Sequence, residues 1–158
     1  MIRDLKQKDI DKVMEIWLES TIKAHDFMPE KYWQDNYNVV KDIYIPQSKT
    51  YVYEEGEEIK GFISILNDDF IGALFVSLNE QGKGIGSKLI EYANAKFDNL
   101  KLAVYKQNQK SVGFYIKKGF SQIRIPFFSL FHTLAFISWS SAERSKMPDK
   151  KRSMLLMF

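Results

Sequence analysis

Gln81-Gly82-Lys83-Gly84-Ile85-Gly86 follows an apolar, strand-like run, Ala73-Leu74-Phe75-Val76, and comes before Asn108 to Phe120, which reads NQKSVGFYIKKGF. The order strand, glycine turn, helix decides the fold. Gly82, Gly84 and Gly86 remove the Cβ atoms that would keep a bulky oxyanion from the backbone N–H groups. At a helix start those N–H groups have no intrahelical partner, and the helix dipole adds partial positive charge. The segment therefore reads as a backbone cradle for a pyrophosphate, with a phenol, Tyr115, roughly thirty residues downstream. Two other phosphate loops are excluded. A Walker loop needs Ser or Thr after its Gly-Lys, and here Gly82-Lys83 is followed by Gly84; a dinucleotide fingerprint needs a longer gap before its third glycine than Gly84 to Gly86 provides.

The rest of the chain is consistent with one α/β domain over residues 1–158. That length buries roughly two thirds of the unfolded surface in one core. With no cysteine there is no disulfide, thiolate metal site or Cys nucleophile. The start MIRDLKQKD carries charge from its third residue and lacks an apolar signal core, so the cytoplasm is the expected location. A net charge of +3, with lysines spread along the chain, fits solubility and mild attraction for a polyanion rather than nucleic-acid binding.

Periodicity predicts an ordered alternation of elements. Met1 to Leu5 reads as a short strand; Ile10, Val13, Met14 and Trp17 recur at helical spacing, with Asp9 as a candidate cap. Pro29 opens a second helix to about Tyr44, ended by Pro46-Gln47-Ser48. Thr50 to Tyr53 and Ile59 to Leu66 are β-rich runs around a turn at Glu54 to Glu57, and Asn67-Asp68-Asp69 turns the chain into a strand from Phe70 to Val76. Gly84 to Phe97 is a helix with Ile85, Leu89, Ala93 and Phe97 inward, Leu100 to Tyr105 a strand, and Asn108 to Lys118 a helix. A mixed sheet flanked by about four helices is the expected architecture.

Gln81-x-x-Gly84-x-Gly86 resembles the acyl-CoA signature of the GNAT superfamily of N-acetyltransferases. Val76, five residues before Gln81, and Asn108-x-x-Ser111-x-x-Phe114-Tyr115-x-Lys117-x-Gly119-Phe120 look like that family too. Ile16 to Tyr32, with IWLES and then AHDFM, further resembles its YjaB-like bacterial branch. The resemblance covers residues 1–120 and implies the GNAT acyl-CoA N-acyltransferase fold, with a mixed, mostly antiparallel sheet. It implies acetyl-CoA as acyl-donor substrate, no metal, and direct attack of a primary amine in a ternary complex. The acceptor stays open among a protein lysine, an N-terminal amine and a small amine, and a homodimer is possible.

The resemblance also implies roles. The strand matching Leu74, Phe75 and Val76 splays from its neighbour, so that pantetheine pairs with it like an added strand. The Val76 N–H would meet the thioester oxygen, a kind of fixed donor typically worth about 3 kcal/mol. Gln81, Gly82, Lys83, Gly84, Ile85, Gly86 and Ser87 would hold the pyrophosphate, with Lys83 or Lys88 assisting. Asn108 would cap its helix and, with Ser111, touch the cofactor; capping alone explains an Asn there equally well. Tyr115 matches the family's general acid, a phenol of pKa near ~10 facing a thiolate whose conjugate acid lies near ~8.5 to 9. Core packing is the competing reading of Tyr115.

At neutral pH only about one lysine in two to three thousand is neutral, so a lysine acceptor needs a base or desolvation. Many family members carry a glutamate on the strand before the glycine loop. Here FIGALFV has no acid, and His25, Asp26, Asp69 or relayed water are the candidates. His25 falls between the first two helices with a pKa suited to relay; a partly buried histidine fixing the helix end is the alternative.

Residues 121–158 are atypical. Ile125 to Trp139 is a nearly unbroken apolar run with neither helical nor strand periodicity, followed by a charged stretch from Glu143 to Arg152. It is shorter than the about 20 residues of a membrane span. An inserted element, an interfacial or dimer-forming segment, and a tail altered by frame change or junction all fit, with Ser153 to Phe158 a possible closing strand. Two other functions follow: a catalytically weak acyl-CoA-binding protein of the same fold, or a membrane-associated protein anchored by residues 125–139.

Overall fold

The computed structural model describes residues 1–123 and 134–138. Among them seven strands form one sheet in the order β1-β2-β3-β4-β5-β7-β6. β1 (Ile2–Asp4), β2 (Lys49–Glu55), β3 (Glu58–Leu66) and β4 (Phe70–Val76) pair antiparallel in turn. The β2–β3 hairpin turns on Gly56 and Glu57, and the β3–β4 connection on Asn67 and Asp68, all four with positive φ. Such left-handed pairs match the twist of the strands they join, and glycine, asparagine and aspartate tolerate them best. β5 (Lys101–Tyr105) runs parallel to β4, and β7 (Leu134–Ser138) is antiparallel to both β5 and β6 (Ser121–Ile123).

Four helices sandwich this sheet: α1 (Ile10–Ala24), α2 (Glu30–Asp35), α3 (Ile85–Asn94) and α4 (Gln109–Lys117). Alternation along the strands assigns the faces. Tyr51, Tyr53, Ile63 and Ile65 pack with Ile85, Leu89, Ile90 and Ala93 of α3 and with Tyr115 of α4. Val52 and Phe62 turn the other way, onto Val13, Met14, Ile16 and Trp17 of α1 and Trp33 of α2. Burying each such side chain contributes about 1.5–3 kcal/mol, so both layers are fixed to the sheet by sequence pattern.

Two local expectations are corrected. Asp9 makes no side-chain cap to α1; its carboxylate accepts from the Lys6 N–H (2.8 Å), closing the short turn Gln7–Asp9, and from Arg3 (2.6 Å). Arg3 also reaches Glu54 (2.8 Å), so the triad ties the edge strand β1 to β2 and to the turn before α1. The second helix is broken. α2 stops at Asp35, helical geometry resumes at Tyr37–Val39, widens into a π-helical stretch over Val40–Tyr44 and closes with Ile45–Gln47. Pro46 lies inside that last turn instead of ending the helix. It lacks an N–H and its ring crowds the carbonyl one turn back, and a widened turn relieves both problems.

Leu134–Ser138, inside the run expected to lack strand periodicity, forms β7. It lies between β5 and β6, with both of its edges paired. Most of Ile125 to Trp139, the charged stretch and Ser153 to Phe158 lie outside the described residues. Among the described residues no helix is long and apolar enough to cross a membrane.

Candidate active site

β4 and β5 open a wedge. Their parallel pairing is confined, among the described residues, to Phe70 opposite Lys101, and the strands then diverge. On its other edge β4 follows β3 up to Gly61 opposite Val76, and the Ser77 N–H donates to the Lys60 carbonyl at 2.9 Å. Main-chain groups alternate sides along an antiparallel pair, so Ser77, Phe75 and Ala73 face β3 while Val76 and Leu74 direct theirs into the wedge. The Val76 carbonyl fits this: it accepts from Ser20 Oγ of α1 (3.1 Å) and from Gln81 Nε2 (3.2 Å), not from a strand. The wedge is the floor of a cleft of about 880 Å³, walled by the end of α1, the glycine segment, β5 and the first turns of α4.

The glycine segment lies at one end. Gly84 is the N-cap of α3 with φ 84° and Gly82 has φ 83°, a handedness that disfavours any side chain. A Cβ built on either would meet nothing within 4 Å, so the space above the backbone is open. Neither α3 nor α4 has an acid in its first turn. A phosphate group placed here meets bare N–H groups and uncompensated dipole charge. The donor's diphosphate therefore fits the residues present.

Leu74, Phe75, Val76, Gln81, Gly82, Gly84, Ile85, Gly86, Ser87, Asn108, Ser111, Tyr115 and His25 all line this one cleft. Lys83 does not; its Nζ pairs with Glu80 at 2.9 Å. Lys88 does not line it either; its Nζ is 3.2 Å from the Tyr53 hydroxyl and over that ring. Asn108 caps α4, its Oδ1 accepting from the Ser111 N–H at 3.1 Å. Of the base candidates, Asp26 borders the cleft, whereas Asp69 pairs with Lys101 at 2.9 Å where β4 begins.

Tyr115 is buried against Phe114 and Phe120, and its phenol finds no hydrogen-bond partner among the described residues. Burial pushes its pKa well above the ordinary phenol value, since the phenolate would be poorly solvated. It holds its proton throughout the neutral range. His25 follows α1 and is 5% exposed, tilted against Trp33 (5.0 Å between centroids) and edge-on to Tyr105 (5.2 Å). Its Nδ1 lies 2.8 Å from the Thr21 carbonyl, which can only accept, so Nδ1 carries the proton and Nε2 the free lone pair. Burial lowers its pKa, leaving the ring neutral near pH 7.

Residue types alone did not single out Ser20, Lys23 and Lys110, which also line the cleft. Ser20 had a legible signal: it is a polar residue on the inward stripe of α1 that carries Val13 and Trp17. Lys110 had another, a cation in the first turn of a helix, where the dipole disfavours it.

A wedge in a sheet, a glycine-capped helix at its end and a buried phenol beside it define an acyl-CoA-dependent acyltransferase. The chain belongs to the GNAT acetyltransferases: residues 14–129 match the acetyltransferase (GNAT) domain. Its acyl donor is acetyl-CoA and its acceptor an amine. It is 36% identical over 120 residues to the peptidyl-lysine N-acetyltransferase YiaC of Escherichia coli, covering 76% of this chain and 82% of that protein. The peptidyl-lysine N-acetyltransferase YjaB of Salmonella typhimurium is 32% identical over 75% of this chain and 81% of its own length. In structure, apo YjaB of E. coli superposes with a TM-score of 0.71 at 26% identity, over 87% of this chain and 94% of that one. The PaiA N-acetyltransferase of Thermoplasma acidophilum, solved with coenzyme A, gives a TM-score of 0.76 over 89% and 98%; at 18% identity it speaks for the fold alone.

Proposed function

We propose that the acceptor is a lysine side chain of a protein or peptide, acetylated on its ε-amine by direct attack on acetyl-CoA. The observation that carries the site assignment is the convergence of wedge, cradle, phenol and histidine on one cleft. The lysine preference rests on the activity of the relatives YiaC and YjaB.

In this reading pantetheine pairs with the main-chain groups of Leu74, the Val76 N–H is left for the thioester oxygen, and the diphosphate lies over Gln81 to Ser87. The neutral amine attacks the thioester carbonyl and its lone pair becomes the new C–N bond. Negative charge gathers on the carbonyl oxygen, where the Val76 N–H stabilises it. The C–S bond then breaks and the CoA sulfur takes the Tyr115 proton. The surplus ammonium proton passes to His25 Nε2 or to water, and Tyr115 is reprotonated from solvent, so proton and charge balance over the cycle. The reaction is cytoplasmic in this reading, as a cytosolic supply of acetyl-CoA requires.

Calorimetric titration with acetyl-CoA, with ATP and NAD as controls, tests the cradle. Mass-spectrometric assay of three acceptors tests the substrate: a lysine peptide with blocked N-terminus, a lysine-free peptide with a free α-amine, and spermidine. Acetylation concentrated on the first is the expected result. Turnover restricted to the α-amine or to spermidine overturns the lysine assignment.

A further inference from the structure

The lysines within and after the glycine segment are engaged elsewhere, Lys83 with Glu80 and Lys88 with Tyr53. Two lysines do line the cleft, Lys23 at the end of α1 and Lys110 in the first turn of α4, and Lys110 is the one that bonds to the glycine segment. Its Nζ donates to Gln81 Oε1 at 3.3 Å, and the same amide donates through Nε2 to the Val76 carbonyl at 3.2 Å. The two bonds act in series as a strap from α4 to the last residue of β4, across the mouth of the wedge.

The partners are mismatched. The Gln81 oxygen is neutral, whereas an anionic oxygen would add charge–charge attraction to the same hydrogen bond. Lys110 also lies at the positive end of the α4 dipole, with no acid in that turn to offset it. The arrangement has a local cost that an incoming anion would reverse.

We infer that Lys110 is a phosphate-binding residue for acetyl-CoA, and that the Gln81 amide holds it in place until the donor arrives. On binding, Nζ exchanges the Gln81 oxygen for a phosphate oxygen and the strap opens. No covalent step is involved. The inference rests on the acetyl-CoA site proposed above and adds to it the residue that reads the donor's charge.

The test compares wild type with Lys110→Ala, Lys110→Arg and Lys12→Ala, the last removing a like charge from the exposed face of α1. Each is titrated with acetyl-CoA, with its analogue lacking the 3′-phosphate, and with acetyl-pantetheine, which has no phosphate. Lys110→Ala should weaken acetyl-CoA about three- to tenfold, the range of a partly screened charged hydrogen bond. It should also flatten the salt dependence of binding. Lys110→Arg should restore most of the affinity, and Lys12→Ala and all acetyl-pantetheine affinities should match wild type. A loss that persists without the 3′-phosphate assigns Lys110 to the diphosphate; a loss confined to full acetyl-CoA assigns it to the 3′-phosphate. Wild-type affinity and salt dependence in Lys110→Ala overturn the inference, as does an equal loss for acetyl-pantetheine. Failure of wild type itself to bind acetyl-CoA would instead refute the donor site.

Discussion

Tyr115 shows how a residue can serve packing and chemistry together. Its ring belongs to the α3–α4 layer of the core, while its hydroxyl has no partner among the described residues. The two roles separate in Tyr115→Phe. The core contacts survive and only the hydroxyl at the cleft is lost, so stability should change little. The rate should fall about a hundredfold, as expected when a general acid is removed, with acetyl-CoA affinity retained. A phenylalanine variant that turns over like wild type would leave Tyr115 as core alone. His25 carries a pH signature. Its pKa is lowered by burial, so the unfolded chain binds a proton more readily than the folded one as pH drops. Its contribution to stability is full above the unfolded value near ~6.5 and is lost as pH falls through the lower folded value. Urea midpoints of wild type should therefore drop between neutral and mildly acidic pH more than those of His25→Gln. The same variant should reduce kcat/KM by about tenfold or more if Nε2 accepts the amine's proton; unchanged kcat/KM would confine His25 to holding the end of α1.

At the scale of elements, the cradle depends on how α3 begins. Gly84 is left-handed, and an alanine there costs about 1 kcal/mol or more in backbone strain. Its Cβ would also enter the open space above the N–H groups. Gly84→Ala should thus bind acetyl-CoA at least about tenfold more weakly while losing only that modest stability, measured by calorimetry and thermal melting. A variant with wild-type affinity would mean that phosphate does not sit on this turn. This segment was legible in the sequence because glycines at a strand-to-helix junction carry their own physical reason, and the helix periods of α1, α3 and α4 were legible through their apolar stripes. The break at Asn36 had no sequence signal, and the π-helical turn before Pro46 was hidden because proline marks a conflict in the hydrogen-bond ladder without stating how the chain resolves it. Lys83 and Lys110 show the same limit in the site. Both are lysines near a phosphate cradle, and only the placement of Glu80 and Gln81 separates the one tied back on its own turn from the one on the cleft wall.

At the scale of the whole molecule, the binding cleft is also the seam of the sheet. β1 to β4 form one continuous antiparallel body, β5 to β7 another, and Phe70 opposite Lys101 is the described pairing that joins them. A ligand that pairs with Leu74 and Val76 on one side and meets α4 on the other bridges the two. Acetyl-CoA at a hundred times its Kd should contribute about 2.7 kcal/mol to stability. For a chain of this size that raises Tm by roughly 5–10 °C. The location of the gain is more telling than its size. In the free protein the N–H groups of Leu74 and Val76 have no strand partner across the wedge, so their exchange with solvent should be fast for residues in the middle of a sheet. Saturating acetyl-CoA should slow exchange at these two positions and through Gly82 to Ser87, while the β1–β2 edge changes little. Protection spread evenly over the sheet would indicate only mass-action stabilisation of the folded state. Protection concentrated on the wedge would show that the donor completes the sheet where the chain leaves it open.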